Sequence, residues 1–163
     1  MTKVLYMSYD GMTDPLGQSQ VIPYIKGLSK LGYHFTLISF EKKDRLEKFG
    51  TGIATLLKDS NIDWVPLSYT KSPPVLSTIY DAWRMRRKAF ELHGQKKFSI
   101  VHCRSYISAL VGLAMKKKFG TKFIFDMRGF YADERVDGGL WKLDSPLYKT
   151  VYDFFKRKEV EFI

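Results

Sequence analysis

The sequence predicts an α/β domain: a doubly wound parallel sheet of Rossmann-like type with helices on both faces. Three observations carry this. Short apolar, β-rich runs alternate with segments of helical period along the whole chain. The first run is followed by a glycine-bearing loop and an amphipathic helix, the opening of a βαβ unit. A chain of 163 residues, 45% hydrophobic and 15% aromatic, is enough for one domain, residues 1–163, that buries roughly two thirds of its unfolded surface.

Taken in order, Val4 to Tyr9 reads as a buried strand and Asp10 to Gly17 as the loop after it. Val21, Ile25, Leu28 and Leu31 fall at helical spacing, with Gly32 where a C-terminal cap belongs. Phe35 to Phe40 is the second strand. Leu46, Phe49, Ile53, Leu56 and Leu57 mark a helix from Lys42 to Asp59, weakened by Gly50 and Gly52. Ile62 to Leu67 is a strand that Pro66 places at or near a sheet edge.

Ser72, Pro73 and Pro74 then punctuate the chain. The helix from about Val75 to His93 has Leu76, Ile79, Trp83 and Phe90 on one side and Arg84, Arg86, Arg87 and Lys88 elsewhere. Ile100 to Cys103 is a short strand. Ile107 to Phe119 is a helix closed by Lys116, Lys117, Lys118 and Gly120. Lys122 to Met127 reads as another buried strand. Ser145 as N-cap and Pro146 at the first helical position open the final helix, which shows no cap at Ile163. The chain is therefore expected to be part of a longer protein.

The formal charge is +10, and its placement is informative. Between Lys71 and Lys122 twelve Lys or Arg face only Asp81 and Glu91, while the rest of the chain balances. Such a concentration attracts anionic partners. No segment has the roughly 20 apolar residues of a membrane span, the N-terminus does not read as a signal peptide, and Cys103 is the only cysteine. These features point to the cytoplasm. Trp83 to Lys88 mixes aromatic and apolar residues with cations, the make-up of a helix that faces an anionic membrane surface, although a charge run is more often simply solvated. No nucleic-acid reader motif accompanies the charge, so nucleic acid is not the expected partner.

Chemistry is expected at the strand ends. Phe123, Ile124 and Phe125 run straight into Asp126, Arg128, Asp133 and Glu134, and charges there are either paired or lining a solvated cleft. Ligands of open parallel sheets collect at the carboxyl ends of strands, which favours a cleft. His102 and Arg104 end the preceding strand, and each Arg offers a guanidinium fork to a carboxylate or phosphate. The glycine loop, Gly11 to Gly17 and on to Gln18, is a candidate phosphate cradle, though its spacing matches neither a dinucleotide fingerprint nor a Walker motif. Glu41 is a candidate ribose ligand or a helix-starting acid. No metal-ligand spacing and no hydrolase elbow are present, and no cofactor is implied.

The first strand and loop, the segment Ser99 to Arg104 (SIVHCR) and above all Phe125 to Gly139 (FDMRGFYADERVDGG) resemble the N-terminal, acceptor-side domain of family 4 (group 1) retaining glycosyltransferases of the GT-B fold. The resemblance covers the whole chain. It implies half of a two-domain enzyme that transfers a sugar from a nucleotide-sugar donor to an acceptor, generally without a bound metal. By position it sets Gly11, Gly17 and Gln18 against the donor diphosphate or acceptor, and His102 near the transferred sugar. It sets Arg128, Arg104, Asp126 and the Asp133-Glu134 turn on the acceptor side, with His102 and Arg128 as the candidate catalytic residues. Two features depart from the family. The loop has Asp14-Pro15-Leu16-Gly17 in place of tandem glycines, and no two glutamates stand eight apart, so the nucleotide-gripping C-terminal domain is expected outside this chain.

The resulting expectation is an acceptor domain for a glycan or lipid-linked acceptor in cell-surface polysaccharide synthesis, inactive alone. The Lys71 to Lys122 region would dock at the inner membrane face. The alternative is a stand-alone Rossmann-like module that binds nucleotide or nucleic acid without transferase activity.

Overall fold

A computed structural model describes residues 1–163. Five parallel strands form one sheet: β1 (Thr2–Ser8), β2 (Tyr33–Glu41), β3 (Ile62–Ser68), β4 (Ile100–Arg104) and β5 (Lys122–Asp126). Their order is β3-β2-β1-β4-β5. The chain winds outward from β1 in one direction and then restarts on its other side at β4, so the topological switch lies between β1 and β4. The helices are α1 (Ile22–Ser29), α2 (Lys43–Lys58), α3 (Leu76–Lys96), α4 (Ser105–Phe119), α5 (Tyr131–Asp137) and α6 (Pro146–Phe162). A π-helical turn, Gly17–Val21, precedes α1.

Strand alternation sorts the core into two layers. Leu5, Met7, Ile38, Phe40, Val101 and Cys103 point to the face covered by α3, α4 and α6. Val4, Tyr6, Phe35, Leu37 and Ile62 point to the face covered by α1 and α2. Leu5, Met7, Leu37 and Ile38 are fully buried, each contributing roughly 1.5–3 kcal/mol by leaving water. The second face is incompletely covered: α1 and α2 pack over β1 to β3, and the same side of β5 stays open beside the buried His102 and Arg104 of β4. Ile124, on β5, is 44% exposed there.

Several sequence expectations hold. Pro66 sits in the edge strand β3, and Gly120 closes α4 in the left-handed region at φ +69°. Others need correction. The strand ending at Asp126 lies at the opposite edge of the five-stranded sheet and is only partly covered. Residues around Asp133 and Glu134 form a short helix, α5, instead of a turn. Ser145 takes the cap position of α6, yet its hydroxyl makes no capping bond.

The largest correction concerns α3. Its packed side is Ser77, Asp81, Met85, Ala89 and Leu92, and the stripe of Leu76, Ile79 and Trp83 points to solvent. Asp81 reverses the expected orientation. It is fully buried, accepting from the Thr70 backbone and hydroxyl and from the Tyr9 hydroxyl, and these bonds fix which way the helix is rolled.

Candidate functional site

The open part of the sheet is a cleft of about 420 Å³ lined by Tyr6, Gln20, Tyr24, His102, Arg104, Ile124, Asp126 and Arg128. Strand register builds it. Tyr6, His102 and Ile124 are cross-strand neighbours in one row, and Ser8, Arg104 and Asp126 form the next row towards the carboxyl rim. Side chains two apart share a face, so both rows project to the same side. Arg128 follows β5 and reaches back over the second row.

Gln20 closes the cleft from above. Its Oε1 accepts from Arg104 Nη2 at 2.8 Å and from Arg128 Nη2 at 3.0 Å. The carboxylates stand further off. Asp126 lies 3.7 Å from Arg104 and 3.8 Å from Arg128, and Asp10 lies 3.7 Å from Arg104 Nε. That Nε is buried and has no hydrogen-bond partner. A buried charged donor without a hydrogen bond costs on the order of 1–3 kcal/mol or more, and the Asp10 and Asp126 carboxylates nearby offset part of it. Each guanidinium carries five donors and spends few of them on the protein. The pair therefore offers a fork to a carboxylate or phosphoryl oxygen.

His102 forms the floor. Its ring rests against Tyr6 and Tyr24, with centroids at 4.6 and 5.7 Å. Burial holds its pKa below the usual histidine value, with Arg104 adding to the effect and Asp126 opposing it. At neutral pH it is an uncharged imidazole, able to donate from one nitrogen and accept at the other. Ile124 and the two tyrosines supply apolar surface beside these polar groups, the composition of a small-molecule site.

His102, Arg104, Asp126 and Arg128 thus come together as the sequence suggests. Gly11, Gly17 and Gln18 do not join them. The Glu41 carboxylate, buried at the end of β2, accepts from the Met12 and Thr13 backbone amides at 2.7 and 3.1 Å, from the Thr13 hydroxyl at 2.6 Å and from the Ser39 hydroxyl at 2.5 Å. Those amides are committed within the protein. Glu41 is thereby the organiser of the loop, neither a ribose ligand nor a helix-starting acid. Gly11 is small because a Cβ would meet Glu41 Oε2 at 2.7 Å, and a Cβ on Gly17 would strike the Gly11 carbonyl and approach Met12 Cα to 2.7 Å. The Gln18 amide turns inward to donate to the Thr13 carbonyl.

Asp133 and Glu134 are also elsewhere. Asp133 accepts from the Tyr152 hydroxyl and Lys156, which hold its carboxyl below the usual range and tie α5 to α6. Glu134 lies beside Gly129. Tyr6, Gln20, Tyr24 and Ile124 also line the cleft, and no sequence motif marks them. Gln20 could not be found by helical phase, because the π-helical turn carries one residue more per turn and re-aims the side chains in it. No three His, Cys, Asp or Glu side chains cluster closely enough to hold a metal ion.

No protein-family profile matches this chain, and no curated protein is similar in sequence. Among solved structures, the C-terminal domain of a hydrogenase from Pyrococcus furiosus is similar, with a TM-score of 0.56 and 16% identity over 77% of this chain and 91% of that one. The glycotransferase of kitacinnamycin gives a TM-score of 0.51 and 11% identity over 76% of this chain. What these three chains share is the fold. This chain spans 29% of the kitacinnamycin glycotransferase, less than a third of its length.

Proposed function

We propose that this chain is the acceptor-side half of a glycosyltransferase that uses a nucleotide-sugar donor. The observation that carries the reading is the convergence of His102, Arg104, Asp126 and Arg128 on one open cleft beside the β1/β4 switch. The likeness of the fold to a glycotransferase is compatible with it.

In this reading the sugar ring of the acceptor lies on Tyr6, Tyr24 and Ile124, and the neutral His102 imidazole exchanges hydrogen bonds with a hydroxyl. Asp126 accepts from a second hydroxyl. Arg104 and Arg128 take an oxyanion, either on the acceptor or on the departing diphosphate, where fixed positive charge lowers the barrier. The nucleotide is gripped by a second domain beyond this chain. The amides of Met12 and Thr13 are already committed to Glu41, so the arginines carry the phosphate chemistry on this side of the cleft.

The test is a transfer assay with a panel of nucleotide sugars on the complete protein and on the 163-residue chain alone. The complete protein should transfer sugar, with Arg128→Ala and His102→Ala each losing about 100-fold or more in kcat/KM. The chain alone should show no turnover. Wild-type rates in both variants would remove the assignment. Tight binding of nucleotide or oligonucleotide by the chain alone would favour the stand-alone module instead.

A further inference from the structure

Helix α3 carries its apolar stripe on the wrong side for a water-facing helix. Leu76, Ile79, Tyr80 and Trp83 lie at helical spacing on the outward face, and they are 63%, 59%, 51% and 52% exposed. Single exposed apolar residues are ordinary, but an aligned row of four large ones marks an interaction surface. The same face continues into Arg86 and Arg87, and Lys118 of α4 joins them around a shallow groove with Trp83 and Phe90.

The charges of this region fall into two groups. Arg84 pairs with Asp81, and Lys88 with Glu91. Arg86, Arg87 and Lys118 enter no ion pair and instead sit over aromatic rings, Arg87 at 5.8 Å from Trp83 and Arg86 and Lys118 at 5.1 Å from Phe90. Cation–π contact orients a charge without neutralising it. One end of the outward face is therefore apolar and the other positive and uncompensated.

We propose that this face of α3 docks on an anionic lipid bilayer, lying in the interfacial plane. The row from Leu76 to Trp83 enters the boundary between headgroups and acyl chains, and Arg86, Arg87 and Lys118 meet lipid phosphates. A polyanion such as nucleic acid satisfies the cations but gains nothing from Leu76 and Ile79. No helix is long and apolar enough to cross a membrane, so the contact is peripheral. The apolar row belongs to the half of α3 anchored through Asp81 to Tyr9 and Thr70, just beyond β1 and β3. It therefore lies towards the carboxyl rim of the sheet, the rim that also carries Arg104 and Arg128. The inference stands on α3 alone and does not depend on the chemistry assigned to the cleft.

Co-sedimentation of the protein with phosphatidylcholine vesicles, with and without phosphatidylglycerol, tests it. Binding should require phosphatidylglycerol. It should fall about thirty-fold in Arg86→Gln/Arg87→Gln, from about 1 kcal/mol per basic residue, and be lost in Ile79→Ser/Trp83→Ser. Brominated lipid should quench fluorescence in the wild type and much less in Trp83→Phe. All these side chains are exposed, so thermal midpoints should stay at the wild-type value. Equal binding to both vesicles, no binding, or wild-type binding by either double variant would overturn the proposal, as would preference for an oligonucleotide over the anionic vesicles.

Discussion

Arg104, at the end of β4, and Arg128, just past the end of β5, donate to the same oxygen, Oε1 of Gln20. One neutral acceptor thus holds two like charges side by side at the open cleft, with carboxylates no nearer than 3.7 Å. Replacing Gln20 by Leu should destabilise the fold by about 1–3 kcal/mol, since the buried Arg104 would lose its acceptor. Replacing it by Glu turns both bonds, already charge-assisted by the guanidinium, into ion pairs and should raise stability by about 1 kcal/mol. If the arginines bind oxyanions, Glu should also abolish inorganic phosphate binding. Urea denaturation gives the first two outcomes, and phosphate titration followed by arginine side-chain NMR gives the third.

Two glycines separate packing from propensity. Gly17→Ala drives a methyl into the Gly11 carbonyl and should cost roughly 1–3 kcal/mol or more. Gly27, inside α1 with nothing within 4 Å of its missing Cβ, should gain about 0.5–1 kcal/mol on conversion to Ala. Thermal midpoints moving in opposite directions are the expected result.

Glu41 supports the loop through four accepted bonds. Glu41→Gln keeps one carbonyl oxygen but sets an NH2 group against one backbone amide and one hydroxyl, so a loss of about 1–3 kcal/mol in urea unfolding is expected. Glu41→Leu should cost more, because the Met12 and Thr13 amides would be buried unpaired.

His102 gives the acid dependence a sign. Its pKa in the fold lies below the unfolded value because burial disfavours the imidazolium. Between those two values the unfolded chain binds more protons, so stability rises with pH across that window. The contribution is complete above the unfolded pKa of about 6.5 and lost as pH falls towards the folded one. His93, lowered by burial as well, adds its own share. Imidazole NMR should show His102 titrating below the ordinary range, and His102→Gln should flatten, without abolishing, the slope of stability on the acid side.

Cys103 offers a simple control on the core. Burial pushes its thiol far above the usual range, and it packs among β4 and α4 against Gly112. A disulfide-exchange reagent should leave it untouched in the native protein and modify it only as fast as the protein unfolds.

The parallel α/β architecture was legible because it rests on local patterns: β-rich runs, helical spacing, Pro66 at an edge and Gly120 at a cap. Half of the cleft was legible as well, since His102, Arg104, Asp126 and Arg128 end consecutive parallel strands and must share one rim. Gln20, Tyr6 and Tyr24 were not, because their place depends on a π-helical turn and on how far α1 reaches across the sheet. Glu41 was misread for a similar reason: whether a strand-end carboxylate meets a ligand or a loop amide depends on how the loop folds back.

By itself, then, the sequence determined the succession of elements, the parallel sheet and the cluster of charge at two strand ends, all of which follow from periodicity and residue type within short windows. Only the tertiary structure decided which side of α3 is buried, which amides are already spent, and where the sheet is left bare. Those outcomes turn on single long-range polar contacts, Asp81 to Thr70 and Tyr9, Glu41 to Met12 and Thr13, and Gln20 to the two arginines. A buried polar group must find its partner wherever the fold provides one, and nothing in the spacing of apolar residues records where that is.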